Sequence, residues 1–543
     1  MSSLMATSKF KTNCITNMKF RYFKAIGLLA LTVIGTSSIY AAYPAVSTSA
    51  EGVTTVRTPE LTVEVTPLND NIFRVSTASP DAPAPLALPK SQSAIMERQP
   101  NGVRVTSTPA EVVMTSPTTT VRINRTDGKV RFYDAQGALL LSESEGVDNQ
   151  AYPKRIAFKG GADETFYGAG ERGHSLKLNG DTLVMYNRQN YGYTNGDPRI
   201  SQMNITVPYF VSDLGYGVLF DDYCKAKLIL GNELVYESDT PLPLSYYFIN
   251  GDEGNIASTT REYASLTGRQ SLPPFWALGY ITSKYGYRTQ DETIGVIDTL
   301  KQKGYPVDGV VLDLYWYGKE TDMGRLEWNK DQFPDHKKML SDLKERGVNT
   351  VIISQPYINK IGALDNYNLL ADKGMLTKDS ENKTHDVTTW VGEAGMFDVS
   401  NPQTRIWLWD RLKGLTGDGL AGWWGDLGEP EVHPATIVHA NGQTAEQYHN
   451  VYGNEWSRLI YEGLRKDFPD MRPLLLMRGG TAGLQRYSVF PWSTDVSRSW
   501  GGLQPQVKIM LNSGLSGLGY MSSDLGGFAV DQNNPTDPEL YVR

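Results

Sequence analysis

The sequence predicts a multidomain protein, an N-terminal β-sandwich followed by a (β/α)8 TIM barrel that is truncated before its eighth strand. Two textures carry this reading: short alternating β-type runs fill the first half, and from Ser271 apolar strands alternate with well-capped helices. Seven strands of the second kind precede a C-terminus, PELYVR, that reads as the start of a helix. The expected boundaries are a signal peptide at 1–42, the sandwich at 43–270 and the barrel at 271–543, with its C-terminal end missing.

The chain opens with Lys9, Lys11, Lys19, Arg21 and Lys24, without an acid among them, and continues into the apolar run AIGLLALTVIG from Ala25 to Gly35. Ala41 and Ala42 then supply small residues for cleavage before Tyr43. The run is short for a bilayer span and no second long apolar segment follows, so export to the periplasm or medium is expected, without a stable membrane span. Of the two cysteines, Cys14 would leave with this segment, so Cys224 has no intramolecular partner and stability must come from core size.

A formal net charge of −8 gives no basic face for nucleic acid. The six histidines show no H-x-x-x-H spacing and no Cys/His cluster, so neither a metal nor a cofactor is expected.

In the first half, LTVEVTP, IFRVST, GVRVTST, EVVMTS, ITVPYFVS and AKLILG read as strands. Asp127-Gly128 between TVRIN and VRFYD marks a hairpin. The proline-rich Ser79–Lys90 reads as a loop, because proline cannot donate to a central ladder. ETFYGAGERG, Glu164–Gly173, departs from this texture. Glu171 is either a solvated acid in a turn or, with Tyr191 and Tyr193, part of an aromatic wall over a neighbouring site.

In the second half, Thr289 and Glu292 stand in capping-box spacing, Ile294, Ile297 and Leu300 share a helix face, and Gly304 stops the helix. FPDHKKMLSDLKERG, NPQTRIWLWDRLKGL and TAEQYHNVYGNEWSRLIYEGLRKDFP repeat the device, the last with Thr444 and Gln447 as a second capping box. The strands between them end in polar groups: Asp313, Asp426, Arg478, Asp495 and Asp524. A single strand-end acid is an ordinary helix cap, but several at successive ends of a closed barrel share one rim, where such barrels build their sites.

The chemistry is placed on Gly422–Pro434, GWWGDLGEPEVHP. Gly425 is expected to turn the chain tightly so that Asp426 and Glu429 converge below stacking tryptophans, an arrangement that suits a sugar. Asp426, within reach of Arg478, is expected to stay ionised and act as nucleophile, while Asp495, among the aromatics of FPWSTDVSRSW, is expected to have a raised pKa and donate a proton. Asp313 and Arg478 would hold sugar hydroxyls, and Trp316, Trp424 and Trp492 would supply stacking faces. Arg498 is a possible partner for Asp495.

TGRQSLPPFWALGY, WWGDLGEPE, RGGTAGLQRYSVFPWSTDVSRSW, SSDLGGF and ETFYGAGERG together resemble glycoside hydrolase family 31, from about Glu164 to the end of the chain. The resemblance implies Asp426 as nucleophile, Asp495 as acid/base, and Asp313, Arg478, Trp424 and Asp524 around a non-reducing-end sugar. Leu427-Gly428 replaces the family's common Met-Asn, Thr494 stands where glycine usually precedes the acid/base, and a substrate-binding histidine of relatives would follow the last residue here. The Asp-Leu-Gly-Glu-Pro variant is most similar to bacterial oligosaccharide 4-α-glucosyltransferases, which implies α-glucan oligosaccharides, maltooligosaccharides among them, as partners. Hydrolytic α-glucosidase, α-xylosidase and a non-catalytic glucan-binding protein are the alternatives. The oligomeric state is not legible.

Overall fold

Alternation along the first-half strands builds the sandwich. In Thr119–Asn124 the residues Thr119, Val121 and Ile123 are buried while their neighbours face outward, the period of two that a half-buried strand requires. A computed structural model describes residues 45–99, 102–161, 163–530 and 537–543; the expected signal peptide at 1–42 lies outside the described residues. Two antiparallel sheets of eight and nine strands pack face to face. The first runs from Val46–Thr48 at one edge to Phe166–Gly170 at the other, and the second from Thr182–Met185 to Arg104–Ser107. Phe132 of one sheet stacks on Phe248 of the other at 4.0 Å between centroids, joining the layers.

The hairpin at Asp127-Gly128 forms, with Ile123 opposite Val130 and Gly128 at φ +76°. No strand forms within Ser79–Lys90, as its prolines require.

After the helix Ile256–Thr267, six parallel strands follow in spatial and sequence order: Ile281–Thr282, Gly309–Leu312, Asn349–Ser354, Gly422–Gly425, Leu475–Met477 and Val489–Phe490. The seventh expected strand, GLGYMSSD, is reduced to a single parallel bridge between Trp492 and Ser522, and no eighth strand forms among the described residues. Successive residues on these strands face two cores. Val311, Val351 and Phe490 pack together in one, while Val310, Leu312 and Ile352 pack in another with Ile297, Met339 and Leu343 of the surrounding helices. Burial on both faces explains why these strands read as continuous apolar runs.

The helices expected between the strands are present at Gln290–Gln302, His336–Glu345, Pro402–Gly417 and Ala445–Asp467. The cap at Thr444–Gln447 is a reciprocal box. The cap at Thr289 is half of one: Thr289 Oγ1 accepts from the Glu292 amide, but the Glu292 carboxylate accepts from the Arg288 amide and from Lys284 instead of closing the box.

One element was not foreseen. Between the third strand and the helix Pro402–Gly417, a three-stranded antiparallel sheet forms from Tyr357–Asn359, Gly392–Met396 and Asp386–Thr389, with the helix Leu364–Asp372 beside it. Among the described residues, no helix is long and apolar enough to cross a membrane.

Candidate active site

The fourth strand carries the acid-bearing loop. The turn expected at Gly425 is formed instead by Leu427, whose φ of +62° lies in the left-handed region. A Cβ at Gly425 would meet the Sδ and Cε of Met477 on the fifth strand, which would have to shift. Thr494, immediately before Asp495, has a φ of +60°. For non-glycine residues that conformation costs roughly 1–2 kcal/mol, and a branched side chain is especially rare in it. Both expected catalytic acids therefore adjoin a strained residue held in place by burial, Leu427 at 5% exposure and Thr494 at 0%. Below the loop, Gly428, Gly453 and Gly479 meet backbone to backbone. A Cβ at Gly453 would overlap the Gly479 carbonyl, and one at Gly479 would overlap the Glu429 amide.

Arg478 organises the acids. Its Nη1 lies 3.1 Å from Asp426 and 3.9 Å from Asp495, its Nε and Nη2 grip both oxygens of Glu429 at 2.9 Å, and Nη2 also reaches Glu431 at 2.6 Å. Side-chain exposure sorts the cluster. Arg478 and Glu429 are each 1% exposed, whereas Asp426 and Asp495 keep 18% and 19% open to a ligand. Every guanidinium nitrogen of Arg478 is turned to a carboxylate, and both oxygens of Glu429 are held by Arg478.

Asp313 is buried at the end of the second strand, where its carboxylate accepts from the Leu314 amide. Trp424 is half-buried and meets Trp492 edge-on at 5.8 Å, while Trp492 itself is buried. Trp316 does not offer a stacking face. Its ring is wholly buried against Tyr317 and Trp328, and its Nε1 donates to the Ile353 carbonyl, because a large indole on this short segment is most stable in the core. Arg498 bonds the carbonyls of Gly527 and Phe528, not Asp495.

Asp495 is held by Gln189 of the sandwich domain, whose amide donates to Oδ2 at 2.7 Å. Neither Gln189 nor Glu431 is singled out from sequence, although Glu431 is the last residue of WWGDLGEPE. The ETFYGAGERG loop takes neither expected form wholly. Glu171 is not solvated but fully buried, and Tyr193 is buried with its hydroxyl on the Ser493 carbonyl, anchoring the segment before Asp495. Tyr191 is exposed and forms an aromatic lip with Phe528 and Tyr285, whose centroids lie 6.3 and 6.4 Å apart in succession.

Burial raises Asp426, Asp495, Glu429, Asp313 and Asp524. It lifts Asp426 well above the usual carboxylate range, with Arg478 opposing and the charges of Asp495, Glu429 and Glu431 adding. It raises Asp495 against the pull of Arg478 and Gln189, and raises Glu429 against Arg478. Asp313 is pushed up to about 7 by burial, against the Leu314 amide and reinforced by the charges of Asp495 and Glu320. Asp524 reaches about 7 through burial and then the charges of Asp495 and Asp313. The expectation that Arg478 keeps Asp426 ionised while Asp495 alone is raised is therefore corrected. One guanidinium divided among four carboxyls cannot offset the desolvation of each.

The fold and rim define a β/α-barrel protein with an N-terminal β-sandwich and an acid-lined site at the carboxyl ends of its strands. Residues 270–543 match the glycosyl hydrolases family 31 TIM-barrel domain, and residues 62–227 match the glycosyl hydrolase 31 N-terminal galactose mutarotase-like domain. The chain belongs to glycoside hydrolase family 31. It is 30% identical over 475 residues to alpha-glucosidase 2 of Bacillus thermoamyloliquefaciens, covering 84% of this chain and 59% of that protein. It is 27% identical to an alpha-xylosidase of Saccharolobus solfataricus, covering 90% and 65%. The chain thus spans about six-tenths of the length of these relatives. Among solved structures, a GH31 dextranase of Flavobacterium johnsoniae complexed with glucose superposes with a TM-score of 0.83 at 24% identity, covering 92% of this chain and 63% of that one. The cycloalternan-forming enzyme of Listeria monocytogenes, complexed with a pentasaccharide, gives 0.78 at 19% identity, covering 91% and 49%.

Proposed function

We propose that this chain carries the active site of a retaining enzyme acting on α-glucosides, with Asp426 as nucleophile and Asp495 as acid/base. The carrying observation is the shared Nη1 of Arg478, whose two distances cap the separation of the nearest Asp426 and Asp495 oxygens at about 7 Å. That cap admits the spacing of about 5–5.5 Å used by retaining pairs and excludes most of the inverting range of about 6.5–9.5 Å. In the first step, Asp426 forms a bond to the anomeric carbon as the glycosidic bond breaks, and Asp495 gives its proton to the departing oxygen. In the second, Asp495 takes a proton from the incoming hydroxyl, which displaces Asp426. Asp313 and Asp524 hold the sugar, with Trp424 at its face.

The acceptor in the second step is, on this reading, the 4-hydroxyl of another α-1,4-glucan, so the enzyme moves glucosyl units between maltooligosaccharides. Support lies in the Asp426-Leu427-Gly428-Glu429-Pro430 variant and in the lip of Tyr191, Phe528 and Tyr285, which presents aromatic faces beside the acids. Hydrolysis is the second reading. The burial of Trp316 and Tyr317 favours it, because neither ring is open to an acceptor sugar. Maltotetraose decides between them. Shorter and longer oligosaccharides with little glucose support transfer, and glucose release equal to substrate consumption establishes hydrolysis. Labelling by a 5-fluoroglycosyl fluoride should fall on Asp426; labelling of another acid, or an inverted product, would overturn the mechanism. Export through the basic and apolar N-terminal segment belongs to the same proposal and is checked by the N-terminus of the secreted protein.

A further inference from the structure

Three of the six histidines, scattered in sequence, meet in the fold. His433 ends the acid-bearing loop, His439 follows it, and His449 lies on the helix Ala445–Asp467. They form a line of four polar contacts. His439 Nδ1 lies 3.1 Å from Asp398, His439 Nε2 lies 2.9 Å from His433 Nε2, His433 Nδ1 lies 3.2 Å from His449 Nδ1, and His449 Nε2 lies 2.8 Å from the Asn187 carbonyl.

The protons can be counted. Asp398 also accepts from the Ser400 amide and hydroxyl and from the Ala440 amide, so it acts as a carboxylate and His439 Nδ1 must donate to it. The Asn187 carbonyl can only accept, so His449 Nε2 must donate. Three neutral imidazoles carry three protons. Two are committed at the ends, leaving one for the two central contacts, and the other central contact would then set lone pair against lone pair inside the core. A fourth proton completes all four bonds.

One carboxylate, Asp398, is hydrogen-bonded to the line. Asp398 faces His439, whose ring also packs on Tyr448 and Tyr452 of the helix. His433 packs on Tyr452, and His449 stacks on Tyr186 at 3.9 Å, with Lys225 Nζ 5.9 Å from the centroid of that tyrosine ring. Arg405 and Glu455, paired at 3.3 Å, are the next charges felt at Tyr448. Burial holds His433 well below the usual imidazole range and brings His449 down to about 4. Burial raises Asp398, but the hydrogen bonds and charge of His439, with those of Ser400 and Ala440, outweigh it and leave its carboxyl below the usual range.

The line meets the acid-bearing segments at two points, its central ring and its Asn187 end. His433 stands two residues after Glu431, which with Glu429 holds Arg478 against Asp426. Asn187 stands two residues before Gln189, the hydrogen-bond partner of Asp495, and its own side chain bonds the Asn450 and Gly480 carbonyls. We propose that Asp398, His439, His433 and His449 form a singly protonated chain that positions the Asp426 loop and the Gln189 segment together. His439 is thus a positioning residue, and removing the fourth proton loosens both segments at once.

The positioning part rests on Asp426 and Asp495 being the catalytic pair; the proton count does not. The test uses the full chain labelled with 15N-histidine. At pH 7.5 one imidazole should show both ring nitrogens protonated, and Asp398→Asn should abolish that signature. The same variant should move the alkaline limb of kcat downward by about one pH unit while changing KM less than twofold. A parent spectrum with three neutral rings would overturn the protonated chain, whether or not any variant folds. An Asp398→Asn enzyme with the parent's pH profile would overturn the positioning role. An active Asp426→Ala enzyme with the imidazolium signature intact would overturn the proposed function and leave the proton count standing.

Discussion

Replacing Asp524 by asparagine is expected to stabilise the protein at alkaline pH while impairing its chemistry. Burial, with the charges of Asp495 and Asp313, lifts this carboxyl from 3.8 to about 7 in the folded state. The folded chain therefore holds a proton that the unfolded chain releases near its ordinary value, and the stability linked to that proton is fully present below pH 3.8 and lost as pH rises through about 7. A shift of about three units corresponds to roughly 4 kcal/mol at most, and coupling to Asp313, itself at about 7, spreads that loss over both groups. Asparagine has nearly the same shape and nothing to ionise. Urea unfolding followed by tryptophan fluorescence should show the variant level with the parent at pH 4 and more stable by about 1–4 kcal/mol at pH 8. With Asp524 holding the sugar as proposed, activity should fall at least about tenfold. An identical pH dependence of stability in the two proteins would refute the argument, since it would mean that ionising Asp524 in the fold costs nothing.

Asp495→Ala should lose about 10²–10⁴-fold in kcat/KM on maltooligosaccharides but far less on glycosyl fluorides, with azide restoring turnover of the covalent intermediate, because only the poor leaving group needs the proton. Steady-state rates on the two substrate types check this, and equal losses would exclude Asp495 as the acid. Gly453→Ala should destabilise by about 1–3 kcal/mol and lower kcat, since its Cβ overlaps the Gly479 carbonyl on which the acid-bearing loop rests; unchanged urea midpoint and turnover would show that the backbones can separate freely. Thr494→Gly should change stability by less than about 1 kcal/mol despite complete burial of Thr494, because relief of its left-handed backbone offsets the lost side chain and the added chain entropy. A loss of several kcal/mol on urea unfolding would mean that the φ of +60° stores no strain.

What the sequence made legible was whatever depends on local periodicity. Alternation at Val121 and Ile123 gives a sandwich strand, and the apolar run Gly309–Leu312 ending at Asp313 gives a barrel strand with its acid on the rim. What it hid depends on distance. Trp316 looks like any aromatic beside a strand-end acid, and only packing against Trp328 and the Ile353 carbonyl makes it core. Gln189 carries no motif and lies 306 residues from the Asp495 that it bonds. The histidines were read as scattered because His433, His439 and His449 lack metal-ligand spacing, yet a loop and a helix turn bring them into line.

The electrostatic reversal at Asp426 has the same origin. A sequence pairs one arginine with one acid by proximity, but Arg478 faces Asp426, Glu429, Glu431 and Asp495 together at 1% exposure. Shared so widely, its charge orients the acids more than it ionises any one of them. A nucleophile raised in this way reacts only after its proton has left, while the acid/base must keep its own. Activity therefore requires a pH above the range in which a free aspartate has already ionised, and fails again where Asp495 loses its proton. The profile of kcat/KM should be a bell whose acid limb lies above about 4, reported as macroscopic values of the coupled group rather than of Asp426 alone. Glu431→Gln, which removes one claimant on Arg478 and one repelling charge, should carry that limb downward. A limb that stays in place would mean that Arg478 serves Asp426 alone after all.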